Sequence, residues 1–116
     1  MDKSDLIRLR HMLDASLEAR SFVHGRSKAD LDEDRMLVLA LLKDIEILGE
    51  AASKIGDRTR EEFPNIPWRH IIGMRNRLIH GYFDVNLDIV WTTVTKELPA
   101  LISELEKIVA KGKSKL

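Results

Sequence analysis

Apolar residues recur every three or four positions along most of this chain, which is the spacing of one face of an α-helix. Leu6, Leu9 and Leu13 begin such a pattern, and it predicts a first helix from about Lys3 to Val23. Gly25 and the polar residues after it interrupt the pattern. The first element is therefore an amphipathic helix that ends at a glycine-containing turn.

The second predicted helix, roughly Leu31 to Ile55, is the most apolar in the chain. The centre of its apolar face is formed by Leu37, Leu41, Leu48, Ala52 and Ile55. Its apolar arc exceeds half the circumference, whereas a surface helix needs a stripe of only about 100°. We therefore expect this helix either to be central to a bundle or to form part of a subunit interface. Gly49, among small residues, is expected to permit close approach of another helix.

Short segments connect this helix to the next. Thr59 and Glu62 have the spacing of a capping box, which predicts one or two helical turns through Phe63. The PNIPW segment cannot continue a helix, because it contains two closely spaced prolines. A further helix is predicted from Trp68 to about Tyr82.

The last predicted helix begins at Asn86 as N-cap and extends to about Ala110. Pro99 should kink it, since proline removes a backbone hydrogen bond and clashes with the preceding turn. Residues 110–116 are expected to be a frayed, basic tail. The whole pattern predicts one all-α domain over residues 1–116, built as an up-down bundle of four to five helices.

Composition supports a single folded helical domain. The 116 residues are 44% hydrophobic and 33% charged, and only 5% are aromatic. The absence of cysteine excludes disulfides and zinc–thiolate sites and suits a cytoplasmic location. No signal-peptide pattern opens the chain, and its longest apolar run, MLVLALL, is too short to span a membrane, so no membrane association is expected.

The charges balance over the whole chain but not along it. Lys plus Arg and Asp plus Glu number 19 each, which counts mildly against a nucleic-acid ligand bound by bulk attraction. One central stretch is nevertheless rich in basic groups: Arg58, Arg60, Arg69, His70, Arg75, Arg77 and His80. A local basic patch on a neutral body is therefore possible.

The segment MRNRLIHGYFD is unusual for a bundle helix. On an ideal helix Arg75 and Tyr82 fall inside the apolar arc, so Arg75 should be partly buried and should need a carboxylate partner. Asp44, inside the apolar stripe of the second helix, is the leading candidate. Arg75 and His80 are five residues apart, about 140° around the axis. They therefore converge only if the helix loosens near Gly81 or if two copies meet across a dimer, and we favour the dimer.

These side chains suit cleavage of a phosphodiester without a metal ion or cofactor. The imidazole of His80 can accept the proton of a ribose 2′-hydroxyl because its pKa lies near neutrality. The guanidinium of Arg75 can hold the phosphate and stabilise developing charge, and Asn76 can position a phosphate oxygen or the imidazole. An Arg–His pair on a bundle helix is more often structural, so the chemistry alone does not decide between these interpretations.

The motif Arg, four residues, His, one residue, Tyr in RNRLIHGY resembles the signature of HEPN-domain ribonucleases, specifically the HepT-like toxin family. The resemblance extends to IEILGEAASKI, FPNIPWRHIIGMRNRLIHGYFDVNLDIVW and TKELPALISEL, and covers roughly residues 3–110. It implies a HEPN-like bundle that forms a homodimer with the two motifs facing a shared cleft.

The same resemblance implies a metal-independent endoribonuclease that acts as the toxin of a toxin–antitoxin pair. Arg75 and His80 would be catalytic, with Asn76 assisting. Tyr82 would be the tyrosine that a minimal nucleotidyltransferase antitoxin modifies with AMP. A bulky, charged nucleotide beside an RNA cleft should block it sterically and by repelling phosphates.

Other groups are weaker candidates. His11, His24 and His70 lack metal-ligand spacing, and the acidic residues 30–34 are expected to form a solvated start to the second helix. Glu46 and Glu50 share a polar side of that helix and could face a partner or the cleft. The alternative function is a non-catalytic binding subunit that docks a nucleotidyltransferase or a nucleotide.

Overall fold

The computed structural model describes residues 1–78 and 84–115, with side chains described through residue 112. Helix α1 spans Lys3–Val23, as predicted. The Asp2 carboxylate accepts a hydrogen bond from the Ser4 amide at the helix start. The chain then turns at Gly25, whose φ of 71° lies in the left-handed region that favours glycine.

The second predicted helix is divided in two. Helix α2 spans Ala29–Glu33, and α3 spans Arg35–Ser53. Asp34 separates them because its backbone is extended and its carboxylate caps α3 by accepting from the Leu37 amide at 3.0 Å. Arg26 bonds the same carboxylate at 2.8 Å and thereby lowers the pKa of Asp34. The acidic stretch therefore ends one helix and starts another.

Helix α4 spans Asp57–Glu62, with Gly56 as its N-cap. The capping box predicted at Thr59 is wrong, because Thr59 lies inside the helix. Its hydroxyl instead donates to the Asp5 carboxylate of α1 at 2.6 Å, and both residues are buried. The Gly56 amide bonds the other oxygen of Asp5 at 3.3 Å. The Thr59 side chain, which local spacing assigned to a helix cap, thus makes a long-range contact with Asp5 instead.

Two short helices follow the prolines: α5 at Trp68–Ile72 and α6 at Met74–Leu78. They divide at Gly73, whose amide bonds the Arg69 carbonyl at 3.1 Å. The rest of the predicted helix, through Tyr82, lies outside the described residues. Gly49 of α3 faces α5, and a Cβ there would lie 3.2 Å from the Ile71 carbonyl oxygen. The expected close helix approach is therefore confirmed.

The C-terminal segment comprises α7 at Leu87–Thr92, a π-helix at Thr93–Glu97 and α8 at Leu98–Lys115. Asn86 caps it as predicted, accepting from the Ile89 amide at 3.1 Å. The kink predicted at Pro99 stays a prediction. The change in the helical pattern comes just before it, in the π-helix, where the Leu98 amide bonds the Thr93 carbonyl. Helix continues five residues beyond Ala110, so it is longer than expected. Gly112 is buried, next to Leu6.

Helix α1 packs against both α3 and α8, and α3 also contacts α5 and α6. Arg8 of α1 bonds the carbonyl of Lys54 at the end of α3, so these two helices run antiparallel. One continuous core fills the space between them, and its large fully buried side chains include Leu9, Met12, Leu41, Leu48 and Leu105. The all-α bundle is confirmed. None of the helices in the described part of the chain is long and apolar enough to cross a membrane.

Candidate active site

Helix α6 carries the described part of the motif. Met74 and Leu78 are buried and hold the helix on the core, while Arg75, Asn76 and Arg77 between them are exposed. The prediction that Arg75 is partly buried is therefore wrong: 51% of its side chain is exposed. The helix has only five described residues, and its two apolar side chains direct the intervening polar ones away from the core.

The carboxylate partner of Arg75 is Glu46 of α3, not Asp44. The Arg75 Nε–H donates to Oε1 of Glu46 at 3.1 Å, and the Glu46 side chain is 45% exposed. Residues 44 and 46 differ by about 200° around the helix axis, so they face different neighbours. The expectation that Glu46 and Glu50 face a partner or the cleft stays a prediction, and the contact made by Glu46 is the one with Arg75.

Asp44 instead faces α1. Only 2% of it is exposed, and its neighbour is Glu18. Burial, reinforced by a hydrogen bond with Glu18 and by that residue's charge, raises the pKa of Asp44 to about 7. Its Oδ2 has no hydrogen-bond partner among the described residues. The aspartate in the apolar stripe is therefore a protonatable group of the α1–α3 contact.

A second group of polar residues combines side chains from α5, α6 and the π-helix, and the sequence had indicated two of them only as members of a basic stretch. Nε2 of His70 is 2.9 Å from Oε1 of Glu97 and 2.9 Å from Nη2 of Arg77. A guanidinium only donates and a carboxylate only accepts, so this one nitrogen cannot bond both in a single protonation state. The spacing of seven residues between His70 and Arg77, about two helical turns, is the signal that could have placed them together. Glu97, in the π-helix, comes from a distant part of the chain.

The catalytic and modification roles predicted for His80 and Tyr82 concern residues outside the described part of the chain. Asn76 is exposed next to Arg75, and its predicted assisting role stays a prediction. Among the described residues, no three His, Asp or Glu side chains are close enough together to hold a metal ion.

The arrangement around Arg75 suits the binding of an anion. Glu46 engages only Nε, and the two Nη groups make no hydrogen bond to described residues. Those two groups can donate together to a phosphate, the geometry in which guanidinium binds oxyanions best. Glu46 would meanwhile hold the guanidinium in one orientation.

Comparisons with known proteins agree on one family. The family model described as "Ribonuclease HepT-like" matches residues 12–108. The chain is 38% identical over 105 residues to "Putative RNase TTE0752" of Caldanaerobacter subterraneus subsp. tengcongensis, covering 90% of this chain and 94% of that protein.

Two archaeal proteins are similar as well. "Putative RNase MJ1380" of Methanocaldococcus jannaschii is 32% identical over 84% of this chain and 90% of its own length. "Probable ribonuclease HepT" of Thermococcus cleftensis is 37% identical over 65% of this chain and 68% of its own length. No solved structure matches the chain.

Proposed function

The chain belongs to the ribonuclease HepT-like family, and we propose that it is a metal-independent endoribonuclease that acts as a toxin. The observation that carries the proposal is the RNRLIHGY motif in a family member, with the Arg75 side chain half exposed and its two Nη groups bonded to no described residue. The ribonuclease names of the relatives support the same reaction class.

In the proposed reaction, His80 accepts the proton of a ribose 2′-hydroxyl. The 2′-oxygen attacks the adjacent phosphorus, and the bond from phosphorus to the 5′-oxygen of the next nucleotide breaks. The departing 5′-oxygen takes a proton from water, and the hydroxide so formed takes back the proton held by His80. The products are a 5′-hydroxyl and a 2′,3′-cyclic phosphate, with His80 neutral again. Arg75 stabilises the charge on the phosphoryl oxygens, with Asn76 positioning one of them.

We propose that the active form is a homodimer. Its support is the apolar surface left on the first half of α3, where Met36 is 81% exposed and Leu39 is 50% exposed. Exposed apolar groups of this size are costly in water and are typical of protein interfaces. A dimer also offers a way for Arg75 of one protomer and His80 of its partner to meet.

We further propose that a minimal nucleotidyltransferase antitoxin silences the enzyme by adding AMP to Tyr82. The support is the position of Tyr82 in the motif, two residues after His80. The added phosphate is negatively charged, so it would repel an RNA backbone beside Arg75.

The test is incubation of total cellular RNA in excess EDTA with the wild type, His80→Ala and Arg75→Lys. We expect cleavage by the wild type and none by His80→Ala. Arg75→Lys should lose about 10²–10³-fold in rate, because lysine keeps the charge but not the two-pronged contact. Arg10→Lys, at an exposed position of α1, is the matched control and should cleave normally.

The intact mass is measured on the same sample. If an unmodified wild type leaves RNA intact, the ribonuclease proposal fails. Undiminished cleavage by His80→Ala would refute the role of His80. An added mass of AMP that Tyr82→Phe abolishes would support the proposed silencing.

A further inference from the structure

A cleft of about 620 Å³ lies between α1 and α3, at the end where α1 begins and α3 finishes. Arg8 and His11 line it from α1, and Lys43, Glu46, Glu50 and Lys54 line it from the α3 side. Its volume is within the range of pockets that bind small molecules or parts of larger ligands. The cleft is not part of the recognised motif.

The cleft is locally basic on a protein whose formal net charge is zero. Its two carboxylates are already paired, Glu46 with Arg75 at 3.1 Å and Glu50 with Lys54 at 3.5 Å. Arg8 is 3.9 Å from buried Asp5, which already accepts from Thr59 and Gly56.

Lys43 is exposed and makes no ion pair with any described residue. Counting Arg75 and Asp5 with the lining residues, the cleft and its edge hold four cations and three carboxylates, so the excess of one positive charge is that of Lys43. The balance in charge over the whole sequence therefore conceals a local positive excess.

The cleft is continuous with the candidate active site through Glu46. That residue lines the cleft and also accepts the hydrogen bond from Arg75 Nε. A polymer whose phosphate lies on the Nη groups of Arg75 would therefore find the cleft directly beside it. Ile7 and Ile47, 45% and 37% exposed, give the cleft an apolar side for sugars or bases.

We propose that this cleft binds the single-stranded RNA that flanks the scissile phosphate, with Lys43, Lys54 and Arg8 contacting backbone phosphates. The inference rests on the proposed ribonuclease function and extends it to where the substrate lies. The apolar residues Met36 and Leu39, which support a dimer surface, lie on the N-terminal half of α3. An RNA backbone neutralises an unpaired lysine such as Lys43 better than an apolar protein surface does.

Binding can be measured separately from cleavage by using RNA that cannot be cut. A fluorescent single-stranded oligonucleotide with 2′-O-methyl groups lacks the attacking hydroxyl, and its anisotropy reports affinity for the wild type, Lys43→Glu and Lys107→Glu. Lys107, on α8, is 71% exposed and lines no part of the cleft, so it is the charge-matched control. Both substitutions are at exposed positions, and circular dichroism verifies that the variants are folded.

We expect Lys43→Glu to weaken binding by about tenfold, as for loss of one charge-assisted hydrogen bond, and Lys107→Glu to change it little. The plot of log affinity against log salt concentration has a negative slope, and the magnitude of that slope should decrease by about 0.7 for each RNA phosphate that the variant no longer neutralises. If both variants bound the oligonucleotide equally weakly, the proposal that this cleft binds RNA would be wrong, while the proposed ribonuclease function would be unaffected.

The same conclusion would follow if the wild type cleaved unmodified RNA but bound the oligonucleotide no better than Lys43→Glu does. Unchanged affinity together with a changed molar mass of Lys43→Glu in light scattering would assign the cleft to a protein interface instead. If the wild type neither binds the oligonucleotide nor cuts RNA, the proposed function itself fails.

Discussion

Arg75 and Glu46 come from separate helices, and the Nε–H of the arginine donates to the carboxylate of the glutamate at 3.1 Å. Both side chains are about half exposed, so solvent screens the pair and its contribution to stability is small. Its consequence is for orientation: the hydrogen bond holds the Nε edge of the guanidinium, and the two Nη groups bond no described residue. Glu46 is therefore a positioning residue for Arg75.

Replacing Glu46 with Gln tests this relationship. We expect kcat for RNA cleavage to fall about tenfold, which corresponds to roughly 1.4 kcal/mol, because the guanidinium is held less firmly. Unfolding free energy should change by less than about 1 kcal/mol. Glu106→Gln, exposed on α8, is the control. Unchanged or faster turnover by Glu46→Gln would contradict a positioning role.

The pKa of Asp44, raised from 3.8 to about 7, predicts a pH-dependent stability. As pH rises from about 4 to 7, the unfolded chain releases this proton before the folded state does, so stability falls and then levels off above pH 7. Asp44→Asn should remove this fall, worth roughly 2–4 kcal/mol. Urea unfolding at pH 5 and pH 8 measures it.

Asp14→Asn, at an exposed position of α1, is the matched control for Asp44→Asn. It should leave the pH dependence of the wild type unchanged. A variant Asp44→Asn that loses stability between pH 5 and 8 as steeply as the wild type would refute the raised pKa.

The buried bond from Thr59 to Asp5 predicts a stability effect far from the candidate site. Thr59→Val keeps the shape but leaves a buried carboxylate without one donor, which should cost about 1–3 kcal/mol of unfolding free energy. The exposed Thr92→Val should cost much less. Equal midpoints of thermal unfolding for the two variants would show that the bond contributes nothing.

The close contact of α3 with α5 at Gly49 predicts that one substitution there lowers both stability and RNA cleavage. A valine there would force its side chain against the Ile71 carbonyl, since even a Cβ lies at 3.2 Å. We expect a loss of about 1–3 kcal/mol in stability and lower cleavage, because α5 leads directly into the helix that carries Arg75. Ser53→Val, exposed on the same helix, controls for the β-branched side chain. Normal stability and cleavage by Gly49→Val would rule out the close contact as a constraint.

The sequence by itself determined the features that depend on local periodicity and capping. Residues within a few positions of one another were enough to predict the all-α class, the limits of α1 and the Asn86 cap. The small residues around Gly49 likewise predicted a close helix approach. The family resemblance likewise needed only the order of residues, and the family model agrees with it.

Tertiary structure decided which side chains meet. Arg75 meets Glu46 rather than Asp44, because two positions on α3 face different helices. Thr59 bonds Asp5, 54 residues away, instead of capping its own helix. The group formed by His70, Arg77 and Glu97 combines side chains from α5 and α6 with one from the π-helix, which is far from them in the sequence. Such pairings depend on the angle and position at which two helices cross, and the pattern of apolar positions along one helix does not determine these.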